Sequence, residues 1–323
     1  MQATPIGWTD FSSNLLKYLD AEGNVVHACV RISEACRFCY ACALAGRFGR
    51  KGKDFTAENM KKLTPYFDTK EADQVLKAKK ITGKKVFVDD MTDLFGEWVS
   101  DEIIDQHFAI FAMRPDVTFQ ILTKRADRMM RYLNRDIEDR LDDICHELPG
   151  ALDVTWHYPA EWPLRNVHAG VSVEDQKSAD ERIPHLLEAS AVVRWISAEP
   201  LLGGINARTW YCACGWKGSE STLLPSPSSS LVCPKCGGSG GLLYRNWLDS
   251  DEGRRTAIDG IVIGGESGAG HREMPLTEAL ALAESARAAG VSVYVKQDSG
   301  PRPGMQGRIL DDVWAMKEWP TAN

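Results

Sequence analysis

An α/β fold organised as a partial or complete TIM-like barrel, interrupted by a small zinc-ribbon-like insertion, is the architecture this sequence predicts. Three observations carry it. Short continuous Val/Ile-rich runs alternate with amphipathic stretches, the pattern of parallel strands covered on both faces by helices. Polar residues recur just after those runs, at the strand ends where barrel active sites form. One later segment holds cysteines and turn residues but no long apolar run.

Taken in order, the predicted strands are Lys85–Asp89, Thr118–Leu122, Asn166–Val173, Val192–Ser197, Gly260–Gly264 and Val291–Lys296. Amphipathic stretches over Asp101–Met113, Arg125–Glu147, Lys177–Glu188 and Leu276–Ala289 fall between or after them. A further strand just before the first cysteine cluster brings the total to about seven β/α units. An open doubly wound sheet is the second reading of the same alternation. Residues 1–206 form the first part of the barrel with its cysteine loop, 207–245 the insertion, and 246–323 the last β/α units. The insertion contains the Pro/Ser tract at 223–230 and the glycines at 237–241, so it needs a staple of its own.

Net charge is −7, from 38 Lys+Arg against 45 Asp+Glu, which argues against a protein that coats nucleic acid non-specifically. Lys124, Arg125, Arg128 and Arg131 read either as a locally basic cleft or as a solvated helix face. No apolar run approaches the ~18–20 residues that cross a bilayer, and the opening residues lack the features of a signal peptide. The expected location is the cytoplasm, with no membrane partner.

Eight of the nine cysteines fall into two clusters, which in a reducing compartment points to metal rather than disulfides. The first reads Cys29-Val-Arg-Ile-Ser-Glu-Ala-Cys36-Arg-Phe-Cys39-Tyr-Ala-Cys42. Cys29, Cys36 and Cys39 can bind three irons of a [4Fe-4S] cubane and leave the fourth without a protein ligand. Radical S-adenosylmethionine (SAM) chemistry needs that open iron: SAM chelates it, and an electron from the cluster cleaves the sulfonium. Phe38 would shield such a cluster from solvent. Six residues separate the first two cysteines, more than the usual superfamily spacing. A cluster closed by all four thiols, or a zinc site, competes with this reading.

The second cluster, Cys212-Ala-Cys214-Gly and Cys233-Pro-Lys-Cys236-Gly, resembles zinc-ribbon knuckles, whose tight turns aim backbone amides at the sulfurs. Four cysteine ligands leave zinc no open position, so the expected role is structural. A second iron–sulfur cluster is the rival. Cys145, beside His146 on a polar helix, stands alone.

Seven segments in fixed order resemble the phage-encoded three-cysteine proteins regarded as radical-SAM-like, a family of unassigned function. They are Ile6-Gly-Trp-Thr-Asp10, the cysteine loop, Val86-Phe-Val-Asp-Asp-Met-Thr-Asp-Leu-Phe95, Ile121-Leu-Thr-Lys124, Gly170-Val-Ser-Val173, Ile196-Ser-Ala-Glu-Pro-Leu201 and Ile263-Gly-Gly-Glu-Ser-Gly268. More distantly the order resembles spore photoproduct lyase, a radical SAM enzyme that repairs a thymine lesion in DNA. That resemblance implies a barrel of the radical SAM type. It also implies that Thr92 and Asp93 receive the SAM amino group and that Lys124 and Ser172 receive its carboxylate. The chemistry is apt, since an ammonium needs acceptors and a carboxylate needs a cation and a hydroxyl donor. The bland readings are helix caps for Thr92 and Asp93, a loop lysine and a core hydroxyl.

Glu199, also at a strand end, is a candidate for the SAM ribose or for substrate, and Glu266 for substrate. The Gly264–Gly268 stretch lacks the signature of a nucleotide-phosphate loop and reads as a tight turn where the backbone approaches something closely. His271 and Arg272 read as an anion contact or as surface residues.

The function these features imply is a radical SAM enzyme that modifies or rearranges a nucleobase, one that the resemblance makes thymine-derived and in phage DNA. Its partners would be SAM, a nucleobase, nucleotide or DNA substrate, and an electron donor such as a flavodoxin, in the host cytoplasm. Two alternatives stand: a non-catalytic, metal-stabilised nucleic-acid-binding protein, and a radical SAM enzyme acting on a peptide or small metabolite. No general base or radical-quenching residue stands out.

Overall fold

The computed structural model describes residues 1–47, 55–147, 161–218, 223–225, 231–239, 242–248 and 258–322. Its main sheet has eight strands: β1 (Gln2–Ala3), β2 (Phe11–Ser13), β3 (Lys85–Val88), β4 (Thr118–Thr123), β5 (Val167–Ser172), β6 (Val193–Ala198), β7 (Gly260–Gly264) and β8 (Ser292–Gln297). They lie side by side in chain order, β1 antiparallel to β2 and every later neighbour parallel. A doubly wound sheet reverses its strand order at a switch point. This one never does, so that second expectation is set aside. β1 and β8 do not pair, which leaves a curled half-barrel.

Several predicted bounds shift. The stretch over Arg125–Glu147 is two helices, Ala126–Leu133 and Glu138–Glu147, because the chain turns at Asn134 and buries Ile137 between them. The strand entering the sheet before the cysteine loop is β2, a step earlier than expected. Immediately before the loop lies a side sheet, in which Leu16–Leu19 is flanked by Val25–Val26 and Thr64–Phe67.

Alternation along the strands builds two cores. Val86, Val88, Ile121, Val171, Ile196 and Ile263 face the helical layer and join the large core. The intervening residues Phe87, Trp195 and Val262 point the other way, into the curl, with Trp8, and Leu122, Tyr294 and Trp319 pack against them. Gly170 is required there, since a Cβ on it would lie 2.3 Å from the Trp195 indole. The two chain ends complete this floor. Trp8 and Trp319 stack at 5.5 Å, and the Trp319 indole donates to His168 Nδ1 at 3.1 Å. Side chains also span the unpaired edge, for a Cβ on Gly7 would meet the Tyr294 hydroxyl.

Buried arginines bind the outer layer to the sheet. Arg194 on β6 donates to the Leu186 and Ala189 carbonyls at the C-terminal end of helix Gln176–Glu188, where free carbonyls need partners. Asp175 and Ser178 cap the other end of that helix reciprocally.

Between β6 and β7 no helix is found among the described residues. Trp247, Leu248 and Ile258 enter the large core there, and the Trp247 amide donates to the Ala207 carbonyl at 2.8 Å. From this root projects the insertion, with Arg208–Cys212 paired between Lys217–Gly218 and Leu242–Asn246. Residues 226–230 of the Pro/Ser tract and 240–241 of the glycine run lie outside the described residues. No helix among the described residues is long and apolar enough to cross a membrane.

Candidate metal and cofactor site

Above the aromatic floor, at the C-terminal ends of the strands, lies a cavity of about 250 Å³. Parity along each strand decides what faces it. Two residues beyond Leu122 comes Lys124, two beyond Gly170 comes Ser172, and two beyond Trp195 and Tyr294 come Ser197 and Lys296. Cys29, Cys36 and Cys39 line the same cavity, as do Thr92, Asp93 and Glu199. Every residue predicted to hold the cluster or SAM is therefore brought to one place.

Cys42 is not among the residues lining the cavity, although Cys29 and Cys39 pack against the apolar cluster that holds it. It is buried with Ala41 and Phe55, and the Arg31 guanidinium donates to its sulfur at 3.3 Å. The surrounding protein desolvates Cys29 and pushes its thiol up to about 12, Asp93 adding to the effect and Arg125 opposing it. Desolvation likewise raises Cys39, against the backbone amides of Cys42 and Ala41. Phe38 is 36% exposed at the mouth, with the Arg37 and Arg272 guanidinium groups 5.5 and 5.3 Å from its ring.

The turn after β3 presents three carboxylates with different partners. Asp89 has φ 56°, a left-handed conformation that an aspartate tolerates better than most residues, and its carboxylate accepts from the Leu16 amide. Asp93 is buried and fully engaged. It accepts from Thr123 Oγ1 at 2.6 Å, from the Phe95 and Lys124 amides, and from Arg125 at 2.9 Å. Arg125 in turn holds Glu97 and the Val30 carbonyl beside Cys29. Asp90 accepts from Asn14 at 2.6 Å, and Tyr40 donates to its backbone carbonyl at 2.5 Å. Burial raises the Asp90 carboxyl, and the neighbouring Asp89 adds to the shift.

Thr92 is also committed. Its hydroxyl donates to the Ala28 carbonyl at 2.6 Å and lies 2.8 Å from the Tyr18 hydroxyl, to which Trp98 donates. This chain ties the turn to the residue preceding Cys29.

Across the cavity, Lys124 Nζ donates to Ser172 Oγ at 2.5 Å. Lys296 lies 3.1 Å from Glu199 Oε1. Glu199 is seated by glycine: a Cβ on Gly264 would come within 2.4 Å of its carboxylate oxygen, the close approach the sequence suggested. Gly265 has the same role against the Ser299 amide. Glu266 is buried and clamped by Arg272 at 2.7 Å. Burial raises its carboxyl, but hydrogen bonds from the Arg272 side chain and amide outweigh this and hold it below its ordinary range. Arg272 also reaches the Glu34 carbonyl, closing this turn onto the cysteine loop. His271 bonds the Gly268 carbonyl at 2.9 Å.

The suggested basic cleft separates into individual roles. Lys124 faces the cavity, Arg125 is buried, Arg128 is bound to Asp101 and to the Gly96 and Val99 carbonyls, and Arg131 pairs with Asp127 on the surface.

In the insertion, the sulfurs of Cys212, Cys214, Cys233 and Cys236 all lie within 4.8 Å of one another, the convergence that a single metal ion requires. Gly215 and Gly237, at φ 83° and 70°, turn the two knuckles, and the Lys235 amide points at Cys233 Sγ at 3.4 Å. Cys145 is buried in the large core, where its thiol donates to the Ala109 carbonyl.

One protein family, described as a protein of unknown function (DUF5131), matches residues 13–314. The chain belongs to this family. No curated protein and no solved structure matches it. The matched span holds both cysteine groups and every cavity residue discussed except Ile6 and Trp8.

Sequence reasoning missed Asp90, Ser197, Lys296 and Tyr40 as cavity residues. A signal for the first three was available: each continues the inward parity of its strand or lies in the turn beyond it. Tyr40 had none, because its contact is with a segment fifty residues away.

Proposed function

We propose that this protein is a radical SAM enzyme that modifies or rearranges a nucleobase. The observation carrying the proposal is the convergence of three thiols, Cys29, Cys36 and Cys39, with Thr92, Asp93, Lys124, Ser172 and Glu199 on one cavity. The donor set suits a [4Fe-4S] cluster with one open iron, since three thiols line the cavity and Cys42, which accepts from Arg31, does not. With cluster and SAM bound, the site would carry out hydrogen-atom abstraction initiated by reductive cleavage of the sulfonium.

The chain's own residues bind and orient. Lys124 has only the neutral Ser172 as side-chain partner among the described residues, which leaves its charge available for a carboxylate. Asp93 acts mainly through Arg125, fixing the cysteine loop at Val30. On the far wall, Glu199 and Lys296 offer an acceptor and a donor 3.1 Å apart, suited to the adjacent donor and acceptor on a nucleobase edge. The nucleobase itself rests on the resemblance to spore photoproduct lyase.

Zinc is the ion proposed for the insertion. Tetrahedral zinc with ~2.3 Å bonds to sulfur places its sulfurs about 3.8 Å apart. The Cys212–Cys236 and Cys214–Cys233 pairs are each 3.6 Å apart.

The test is anaerobic reconstitution with iron and sulfide, reduction, and EPR before and after SAM. A reduced-cluster signal that shifts with SAM supports the proposal. Two equivalents of zinc without iron would replace it with a metal-stapled binding protein.

A further inference from the structure

The outer face of the cysteine loop is unlike the rest of the surface. Ile32, Phe38 and Tyr40 are 46%, 36% and 48% exposed, three of the nine large apolar side chains left exposed among the described residues. All three also line the mouth of the cavity, so they form one rim rather than scattered points. Grouped exposure of this kind marks a contact surface, whereas single exposed apolar residues do not. The Phe38 ring is backed by the 268–272 turn, since a Cβ on Gly270 would lie 3.4 Å from it. Charge at the rim runs against the chain as a whole, whose net charge is −7. Arg31 and Arg37 are exposed there, and the Arg272 guanidinium lies 5.3 Å from the Phe38 ring. Against these three cations stand one surface carboxylate, Glu34, and the buried Glu266 that pairs with Arg272.

We infer that this rim is the docking surface of an acidic one-electron carrier protein. The inference rests on the cluster reading above, whose chemistry starts only when an electron arrives from outside the chain. The carrier gives up one electron and is oxidised by it, the cluster passes from its 2+ to its 1+ state, and no bond forms or breaks. Arg37 and Phe38 lie between Cys36 and Cys39, and consecutive Cα atoms are about 3.8 Å apart. A carrier touching this rim is therefore a few atoms from two of the three sulfurs. An apolar centre with a charged edge is the make-up of a protein interface, and a small one suits a partner that must leave after each electron. The surplus of arginine steers an acidic partner to the rim. A nucleic-acid backbone is a poorer match. Phosphates call for a run of cations, and Glu34, its side chain 77% exposed, interrupts this one.

The experiment is stopped-flow reduction of the anaerobically reconstituted protein by reduced flavodoxin, an acidic carrier, with calorimetry of its binding. Photoreduction with 5-deazariboflavin, small and uncharged, is the control that needs no docking. Flavodoxin should reduce wild type at a rate that falls about tenfold between low and high salt. Arg37→Glu should slow that reduction by about tenfold at low salt and weaken binding in step. Deazariboflavin should reduce both proteins equally, with iron content and unfolding midpoint unchanged. A wild-type rate indifferent to salt overturns the inference without any variant. So does an Arg37→Glu protein that flavodoxin reduces as fast as wild type, or a wild type that deazariboflavin reduces and flavodoxin does not. Each of these leaves the cluster reading intact. An Arg37→Glu protein that loses affinity for an oligonucleotide while keeping its reduction by flavodoxin gives the rim to nucleic acid instead. No cluster after reconstitution removes both readings.

Discussion

The chain carries two groups of four cysteines each, and the protein holds them in opposite ways. In the insertion, four sulfurs converge within 4.8 Å and each knuckle is turned by its own glycine. At the mouth of the half-barrel, three thiols line a cavity and the fourth, buried beside them, accepts from Arg31. There the loop is held from outside, by Arg125 at the Val30 carbonyl, Thr92 at the Ala28 carbonyl and Arg272 at the Glu34 carbonyl. The difference teaches that ligand count matters less than who organises the ligands. On the proposed reading a metal would shape the chain in the insertion, whereas at the cavity the chain itself already holds the loop and would leave a coordination position open.

The largest effect should come from exchanging the losses. Cys233→Ser should release the zinc and melt the insertion, because binding of a structural zinc is worth ~10–16 kcal/mol in small peptides. The half-barrel should keep its own cooperative unfolding transition, followed by circular dichroism. Cys36→Ala should abolish iron binding and leave zinc at one equivalent, whereas Cys42→Ala should retain the iron, measured by metal analysis. Loss of iron in Cys42→Ala would make it a ligand and erase the contrast between the two regions.

Asp93→Asn sharpens the comparison at the next scale. It leaves Arg125 buried without its main counter-charge, at a cost of ~3–5 kcal/mol, and should loosen the cysteine loop without touching the insertion. Denaturant unfolding and hydrogen exchange over residues 28–40 would register both. Protection of that loop at the wild-type level would show that Arg125 does not hold it.

The smallest effect is a pH dependence confined to the half-barrel floor. Burial, with Lys85 adding, lowers the His168 imidazole to about 4, and the neutral ring accepts from Trp319. An imidazole depressed in the fold adds stability that is fully present above its unfolded value near ~6.5 and is lost as pH falls toward 4. The loss should reach ~2–4 kcal/mol, and His168→Asn should flatten it. A slope unchanged in that variant would assign the titration to other groups.

Much of the molecule was legible from residues alone, and the reasons are local. Val/Ile runs separated by amphipathic helices report a parallel sheet because burial on both faces demands continuous apolar strands. The two knuckles were legible because ligand spacing and a turn glycine lie within a few residues of one another. The split at Asn134 was missed because helical periodicity continues across it while the chain turns.

The sequence was therefore sufficient for the repeating β/α units, the knuckles and the set of polar residues at strand ends, since period, spacing and parity are properties of neighbouring residues. Only the folded molecule decided which charges are spent on each other. Arg125 with Asp93 joins the ends of neighbouring strands and Lys296 with Glu199 reaches across β7, while the Trp8–Trp319 floor joins segments that meet because the sheet curls. Pairing of that kind depends on curvature summed over all eight strands. Asp90 and Lys124, at the ends of the neighbouring strands β3 and β4, line one cavity without partners of opposite charge among the described residues.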